Sequence, residues 1–256
     1  MRRIKTKVGP IAVHLKLGNP SLIPIIFLHG LYFDHHLWDK QVEQINDRTV
    51  IALDMPFHGD SHDKIEYSLT LQDCAWMLLE ILEALELQRV IAVGHSWGSM
   101  TLIRAAHLKP EAFPAMGLCN LRFKAATSLE RVLIPLQHTL LVFRNFYFDQ
   151  TAKSLFSKQS LANQPHLSQF LIASMSKLTN SQIKYIDQVV RIEPQESSEL
   201  IRNLQVPALA IVGEEDYVGI PPIEQTSIVR GGHTSPMEAP DEVSAMINKL
   251  IELIKQ

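Results

Sequence analysis

Residues 89–98, Arg-Val-Ile-Ala-Val-Gly-His-Ser-Trp-Gly, carry the strongest structural signal in the chain. The β-branched residues Val90, Ile91 and Val93 run straight into Gly94-His95-Ser96-Trp97-Gly98. A helical pattern follows at once, with Met100, Leu102, Ile103, Ala106 and Leu108, and closes before Pro110. Strand, Gly-x-Ser-x-Gly and helix in direct succession make a corner that presents the serine. Gly94 and Gly98 allow backbone to approach backbone there. Ser96 then stands at the N-terminus of a helix, whose dipole favours developing negative charge. In this context Ser96 reads as a nucleophile rather than as part of an ordinary Ser/Gly turn.

Outward from this corner, residues 23–28, 49–53, 90–93, 115–119 and 208–212 form short apolar runs that read as strands buried on both faces. Helical patterns lie between most of them, as at 71–85 and 97–108. Such alternation implies a mostly parallel sheet covered on both sides. Near the start, Ile11, Val13, Leu15 and Leu17 alternate with Ala12, His14 and Lys16, the pattern of a half-buried strand. Residues 240–255 carry Val243, Met246, Ile247, Leu250, Ile251 and Ile254 at helical spacing, with Pro240 in the first turn.

One region breaks the rhythm. Between Cys119 and Ala208 no strand pattern appears, and the stretch is too long for a structureless loop. Residues 128–148, 151–156, 167–178 and 181–190 show three- and four-residue apolar spacing, punctuated by Pro165 and Asn180-Ser181. The expected architecture is therefore an α/β, mostly parallel, doubly wound sheet with a helical cap inserted before the last strands. Residues 1–120 and 195–256 form the core and 121–194 the cap.

Composition narrows the function classes. The chain has 256 residues and a net charge of −3 with no basic stripe, which argues against a nucleic-acid partner. No apolar run is long enough for a membrane span. The basic start, Met1-Arg2-Arg3-Ile4-Lys5, lacks the apolar stretch of a signal peptide. Cys74 and Cys119 are far apart and read as small buried hydrophobes, so a cytoplasmic location is expected. The phosphate-cradling and dinucleotide glycine motifs are missing, and no cofactor is implied. Asp34-His35-His36 and His58-x-x-x-His62-Asp63 are the best histidine clusters, but neither has a zinc-ligand pattern, and no metal is expected.

A serine nucleophile needs a base, an acid that orients the base, and donors for the oxyanion. His233, in Arg230-Gly231-Gly232-His233, follows the apolar segment 227–229 and precedes the last helix; its imidazole can accept a proton at neutral pH. Asp216 lies just beyond the run 208–212, at the sheet edge where open α/β folds bind ligands. Glu214 and Glu215 are its rivals, read as solvated loop charges. The amide of Trp97 is the expected first oxyanion donor. Phe27-Leu28-His29-Gly30-Leu31 supplies the second through the amide of Leu31.

The chain resembles the α/β-hydrolase superfamily, in the helical-cap group of esterases and carbon–carbon bond hydrolases. The likeness rests on His29-Gly30, Asp54-Met55-Pro56-Phe57-His58-Gly59-Asp60-Ser61, Gly94 to Gly98, Gly213 to Asp216, and Gly232-His233, in that order. It implies Ser96 as nucleophile, His233 as base, Asp216 as orienting acid, and the Leu31 and Trp97 amides as oxyanion hole. Two departures stand out. Phe57 occupies a position where relatives carry glycine, which would reshape that turn and bring a ring near the site. The alternative acid position, after the strand before the cap, holds Asn120, which cannot carry the charge. Relatives with an aspartate nucleophile are disfavoured because the corner residue is Ser96.

Among the other candidates, His95 is expected to point away from Ser96 and to pack structurally, and His29 and His58 to bond backbone. Phe143, Phe146, Tyr147, Phe148, Phe156 and Phe170 could line an acyl pocket, but such residues more often pack a helical insertion. Arg131 and Arg144 could meet a substrate carboxylate, though solvated cap surface is the expectation. The leading functional reading is a serine hydrolase that cleaves a small or medium carboxylic ester through an acyl-enzyme. Cleavage of a carbon–carbon bond in a vinylogous diketone, thioester cleavage or acyl transfer, and a ligand receptor on a hydrolase scaffold use the same residues, and motifs do not separate them. The partner is a small ester-like molecule; nothing in the sequence fixes an oligomeric state.

Overall fold

The computed structural model describes residues 1–62 and 69–254. Among these residues eight strands form one sheet: β1 (Arg2–Thr6), β2 (Gly9–Lys16), β3 (Ile25–Leu28), β4 (Val50–Leu53), β5 (Ile91–His95), β6 (Met116–Cys119), β7 (Ala208–Gly213) and β8 (Thr226–Val229). Their order is β1-β2-β4-β3-β5-β6-β7-β8. The first two strands form an antiparallel hairpin, and β2 pairs antiparallel with β4. From β4 to β8 every pairing is parallel. Strands β3, β4 and β6 are buried along their whole length, which is why they read as unbroken apolar runs.

Helices α1 (Asp39–Gln44), α2 (Leu71–Ala84) and α3 (Trp97–Leu108) lie between the early strands. Thr70 and Asp73 close a reciprocal capping box that starts α2. After β6 come α4 (Ser128–Gln137), α5 (Arg144–Leu155), α6 (Lys158–Asn163), α7 (His166–Ser176) and α8 (Asn180–Asp187). These form the helical cap. The return runs through α9 (Ser198–Arg202), where the Arg104 guanidinium of α3 donates to Ser197 Oγ at 3.2 Å. After β8 come α10 (Ser235–Glu238) and α11 (Pro240–Leu253).

The elements depart from the sequence expectation where the pattern was ambiguous. The apolar spacing over 128–148 is not one helix. Pro135 interrupts the hydrogen-bond ladder of α4, residues 138–143 tighten into a 3₁₀ helix, and α5 begins at Arg144. The alternation near the N-terminus also breaks down: Ala12 is buried, and Leu17, past the end of β2, is 81% exposed. The basic N-terminus is β1 itself, paired along its length with β2. Lys255, expected in the last helix, lies outside the described residues.

Sheet topology fixes where a site can form. The chain leaves β3 to one side for β4 and the other neighbour of β3 is β5, so the strand order reverses between β3 and β5. In open α/β sheets the crevice at that switch, beyond the carboxyl ends of the strands, is where ligands bind. Backbone strain gathers on the same edge. Tyr32, Phe57, Ser96 and Asn120, which follow β3, β4, β5 and β6, have φ of 71°, 70°, 48° and 51°. Left-handed backbone at bulky residues costs energy and persists only where the surroundings enforce it. Phe57 shows that the departure from glycine does not abolish the left-handed turn. Its ring meets Tyr185 of α8 edge-on at 5.8 Å, and Phe57 does not line the cavity that holds Ser96.

Candidate active site

Ser96 follows β5 and stands at the N-cap of α3 with a φ of 48°. This corner exists because α3 presses against β3: a Cβ on Gly98 would lie 2.2 Å from the Leu28 carbonyl oxygen. The Ser96 amide donates to the Cys119 carbonyl at 2.9 Å, which ties the corner to β6. Asp216 follows β7 and His233 follows β8.

The three side chains meet in one row. Ser96 Oγ and His233 Nε2 are 2.8 Å apart, and His233 Nδ1 and Asp216 Oδ1 are 2.8 Å apart. An ionised Asp216 accepts only, so Nδ1 carries the proton and Nε2 presents a lone pair to the serine hydroxyl. Ser96 and His233 are almost fully buried. Asp216 also accepts from Asn120 Nδ2 at 2.8 Å and from the Val218 amide at 3.2 Å. Burial pushes the Asp216 pKa upward, but the His233 charge and these hydrogen bonds outweigh it, and the carboxyl sits below its usual range. Asn120, which follows the strand before the cap and cannot carry a charge, holds the Asp216 carboxylate. Glu214 and Glu215 are exposed.

The β3 turn sits beside Ser96. A Cβ on Gly30 would fall 2.3 Å from His95 Nδ1 and 3.1 Å from Ser96 Cβ, so this turn can approach only as glycine. Beyond it the Tyr32 amide donates to His58 Nε2 and the Phe33 amide to the Gly30 carbonyl. Leu31 lines the cavity next to Ser96. Trp97 is the first residue of α3, where a backbone amide has no acceptor within its own helix.

The other histidines brace this frame. His58 Nδ1 donates to the Pro56 carbonyl and His29 Nδ1 to the Gly30 carbonyl, while their Nε2 atoms accept from the Tyr32 and Met55 amides. Both are therefore backbone-bonded, as expected. His95 is closer to the site than its sequence position implied. Its ring lines the cavity, and Nε2 donates to the His233 carbonyl at 2.6 Å. Burial drives the His58 and His95 pKa values down to about 3, and each stays neutral.

Among the described residues, His14, His35 and Asp54 are the side chains grouped closely enough to share a metal ion. Their nitrogens and oxygens already satisfy one another. Asp54 Oδ1 accepts from the His35 amide and from His35 Nδ1; Oδ2 accepts from His14 Nε2 and the Asp60 amide. The cluster fastens β2 to the turns after β3 and β4. The Asp63 of the other histidine motif lies outside the described residues.

A cavity of about 670 Å³ opens above Ser96, walled by Leu31, Tyr32, Met100, His233 and cap residues such as Phe146, Tyr147, Leu155 and Val190. Of the cap aromatics singled out from sequence, Phe146 and Tyr147 line it; Phe148 and Phe156 are buried, Phe156 edge-on against Phe33 of the turn after β3. The two arginines weighed from sequence stay on the cap surface, as expected: Arg131 is exposed and Arg144 partly so. Arg131 donates to the Ala126 carbonyl, and Arg144 to Asn180 and the Leu178 carbonyl, and neither reaches the cavity. Arg122 and Arg191 line it instead. Sequence reasoning missed both. Arg191 lies in a five-residue π-helical turn (Gln188–Ile192), where helical spacing no longer predicts which way a side chain faces.

Cap and sheet are joined by a buried carboxylate. Asp187, fully buried, accepts from Tyr32 Oη at 2.5 Å, His138 Nε2 at 2.7 Å and Arg191 at 3.3 Å. Burial alone would raise its pKa; the Arg191 charge and the hydrogen bonds from His138 and Tyr32 lower it below the ordinary value. Tyr32 directly follows Leu31, so the cap is bonded to the turn that flanks Ser96.

Residues 23–169, more than half of the chain, match the α/β-hydrolase fold family. The chain belongs to this family. It is 25% identical over 260 residues to the uncharacterized hydrolase YugF of Bacillus subtilis, covering 91% of this chain and 92% of that protein. Among solved structures it is similar to a thermophilic esterase from Thermogutta terrifontis, with a TM-score of 0.84, 20% identity and full coverage of both chains. The enol-lactonase from Burkholderia xenovorans superposes with a TM-score of 0.83 at 16% identity, over 98% of this chain and 100% of that one. These likenesses show the same fold over nearly the whole chain.

Proposed function

We propose that this α/β hydrolase is a serine esterase that cleaves a small or medium carboxylic ester through an acyl-enzyme. The observation that carries the reading is the unbroken row Ser96–His233–Asp216 at the floor of the cavity. His233 Nε2 takes the Ser96 proton as Oγ attacks the carbonyl carbon. The carbonyl oxygen becomes an oxyanion and accepts from the Leu31 and Trp97 amides, with the α3 dipole behind them. As the C–O bond breaks, the leaving alkoxide takes the proton from His233. Water then attacks the acyl-enzyme, His233 accepts its proton and returns it to Ser96 Oγ, and the acid departs. Asp216 keeps the Nδ1 tautomer throughout. The cap, taken as residues 121–194, excludes bulk water and bounds the acyl chain.

A p-nitrophenyl ester series of increasing chain length tests this reading, together with fluorophosphonate labelling. Turnover with a burst, and loss of both burst and label in Ser96→Ala, are expected. Removal of a triad serine costs kcat on the order of 10⁶ in a well-measured serine protease. Ester turnover equal in wild type and Ser96→Ala would refute the assignment.

A further inference from the structure

Two guanidinium groups face the cavity above Ser96, and neither is used up by the protein. Arg122 follows β6 at the sheet edge and is only 8% exposed. Its single hydrogen bond runs from Nη2 to Glu130 Oε1 at 3.0 Å. Arg191 donates from Nη1 to Asp187 Oδ1 at 3.3 Å, a long bond to an oxygen that Tyr32 Oη already approaches at 2.5 Å. A guanidinium has five N–H donors, so most of those on Arg122 and Arg191 are unspent. Arg122 is nearly buried while the Arg191 side chain keeps 28% of its surface open, and both line the cavity.

Both arginines share the cavity wall with Ser96 and His233. The Tyr217 ring sits 4.7 Å from the His233 ring, and the Arg191 and Arg122 charges both act on the Tyr217 phenol. Against these two cations the charged lining contains, among the described residues, one carboxylate, Glu130. Glu130 is itself committed: its Oε2 accepts from the Thr127 amide and hydroxyl that start α4, and its Oε1 from Arg122. Asp187 lies behind the wall and Asp216 behind His233, each already accepting from several donors. The rest of the wall mixes apolar residues with neutral polar groups such as Gln137, Gln150, Thr151 and Ser154. Such a cavity favours a ligand with one fixed anionic group and an uncharged body. A planar carboxylate matches the fork of a guanidinium better than a spherical charge does.

We infer that the substrate of this site carries a carboxylate in addition to the bond that is cleaved, and that Arg122 and Arg191 hold it. The chemistry of cleavage rests on the esterase reading above; the anion recognition rests on the cavity wall. The substrate class is thus the half-ester of a dicarboxylic acid, or an ester or lactone of a hydroxy acid that keeps a free carboxylate.

The test compares mono-p-nitrophenyl glutarate with p-nitrophenyl pentanoate, equal in chain length but differing in a terminal carboxylate. The wild-type kcat/KM ratio, charged over neutral, is expected to exceed ten and to fall at least tenfold in Arg191→Gln and in Arg122→Gln. Using the ratio cancels any general loss from a perturbed cap. An acetyl ester of 4-hydroxybutyrate, against butyl acetate, tells whether the carboxylate is held on the alcohol side instead. Calorimetric binding of monomethyl glutarate and methyl pentanoate to Ser96→Ala gives a second readout that needs no turnover. Tighter binding of the charged ligand, lost in Ser96→Ala/Arg191→Gln, supports the inference even if no ester is hydrolysed, in which case the esterase reading alone fails. Efficient hydrolysis with neutral partners preferred on both sides, or a preference unchanged in both arginine variants, overturns the inference and leaves the esterase reading standing.

Discussion

Asn120 Nδ2 lies 2.8 Å from Asp216 Oδ2, on the far side of the carboxylate from His233. The same carboxamide donates to the Gly232 carbonyl at 3.2 Å and accepts from the Ser235 amide at 3.1 Å. One neutral side chain after β6 thus fixes both the acid and the loop that carries the imidazole. In this chain the position after the strand before the cap, unable to be the acid, serves to aim it.

Replacing Asn120 separates aim from charge. Asn120→Leu leaves a buried carboxylate oxygen without its donor, at a cost of about 1.5–3 kcal/mol for a hydrogen bond to a charged group. Urea unfolding should show that loss, and kcat should fall more than KM rises. Asn120→Asp instead sets a second carboxylate against Asp216. The added negative charge favours the imidazolium, so the acid limb of the kcat/KM–pH profile should move to higher pH. An unchanged profile in Asn120→Asp would contradict this account.

Gly98→Ala probes the corner itself. The new Cβ would meet backbone, the Leu28 carbonyl at 2.2 Å, and neither strand nor helix can yield without opening the β3–α3 contact. A destabilisation of about 1–3 kcal/mol is expected from such overpacking. Because the same shift moves Ser96, ester turnover should drop by more than the unfolded fraction explains. Circular dichroism melts alongside kinetics distinguish the two losses.

Asp187 offers a test of how cap and turn communicate. Asp187→Ala strands Tyr32 Oη, His138 and Arg191 around a cavity, and loss of one partner from a buried charged cluster costs about 3–5 kcal/mol. Limited proteolysis should then cut within the cap before the sheet core. Tyr32→Phe removes one bond from the same carboxylate and should give a smaller loss in the same direction. Equal protease resistance of wild type and Asp187→Ala would show that the cap does not depend on this link.

Acid should destabilise the fold before most carboxylates titrate. Burial holds His58 and His95 at about 3, and lowers His29 as well. In the unfolded chain a histidine titrates near 6.5. Between those values the unfolded state binds protons that the folded state refuses, so stability falls as pH drops from about 6.5 towards 3, by up to about 1.4 kcal/mol per pH unit per histidine. His35 acts with the opposite sign. Burial opposes its charge, but its Asp54 bond and the Asp54 charge raise its pKa, and its contribution is lost as pH rises through that raised value. Unfolding free energies in urea at pH 7 and pH 5 measure the net slope. His95→Asn should flatten it; a stability independent of pH over this range would sink the prediction.

The reading of the sequence succeeded where one local rule had a single solution. The β5 corner was legible because β-branched residues, two glycines and a helical repeat leave the chain little other choice of path. The stretch from 128 to 148 was harder, because apolar residues three and four apart suit an α-helix, a 3₁₀ turn and a break after Pro135 alike. Tertiary packing selected among them. Arg122 and Arg191 were invisible for a related reason. A charged residue on a cap helix faces water by default, and only the π turn at 188–192 and the fold of the segment after β6 turn these two inward.

What the sequence by itself determined is the set of conformations open to each short segment: where backbone must bend, which faces are apolar, which side chains can donate or accept a proton. Those follow from covalent geometry and from periodicity, and need no distant partner. The tertiary structure decided which of those groups meet. The hydroxyl of Ser96, the ring of His233, the carboxylates of Asp216 and Asp187 and the amide of Asn120 lie far apart along the chain, and strand order brings them to one edge. Hydrogen bonds and ion pairs fade within a few ångströms, so the chemistry of the site belongs to that convergence and not to any one motif.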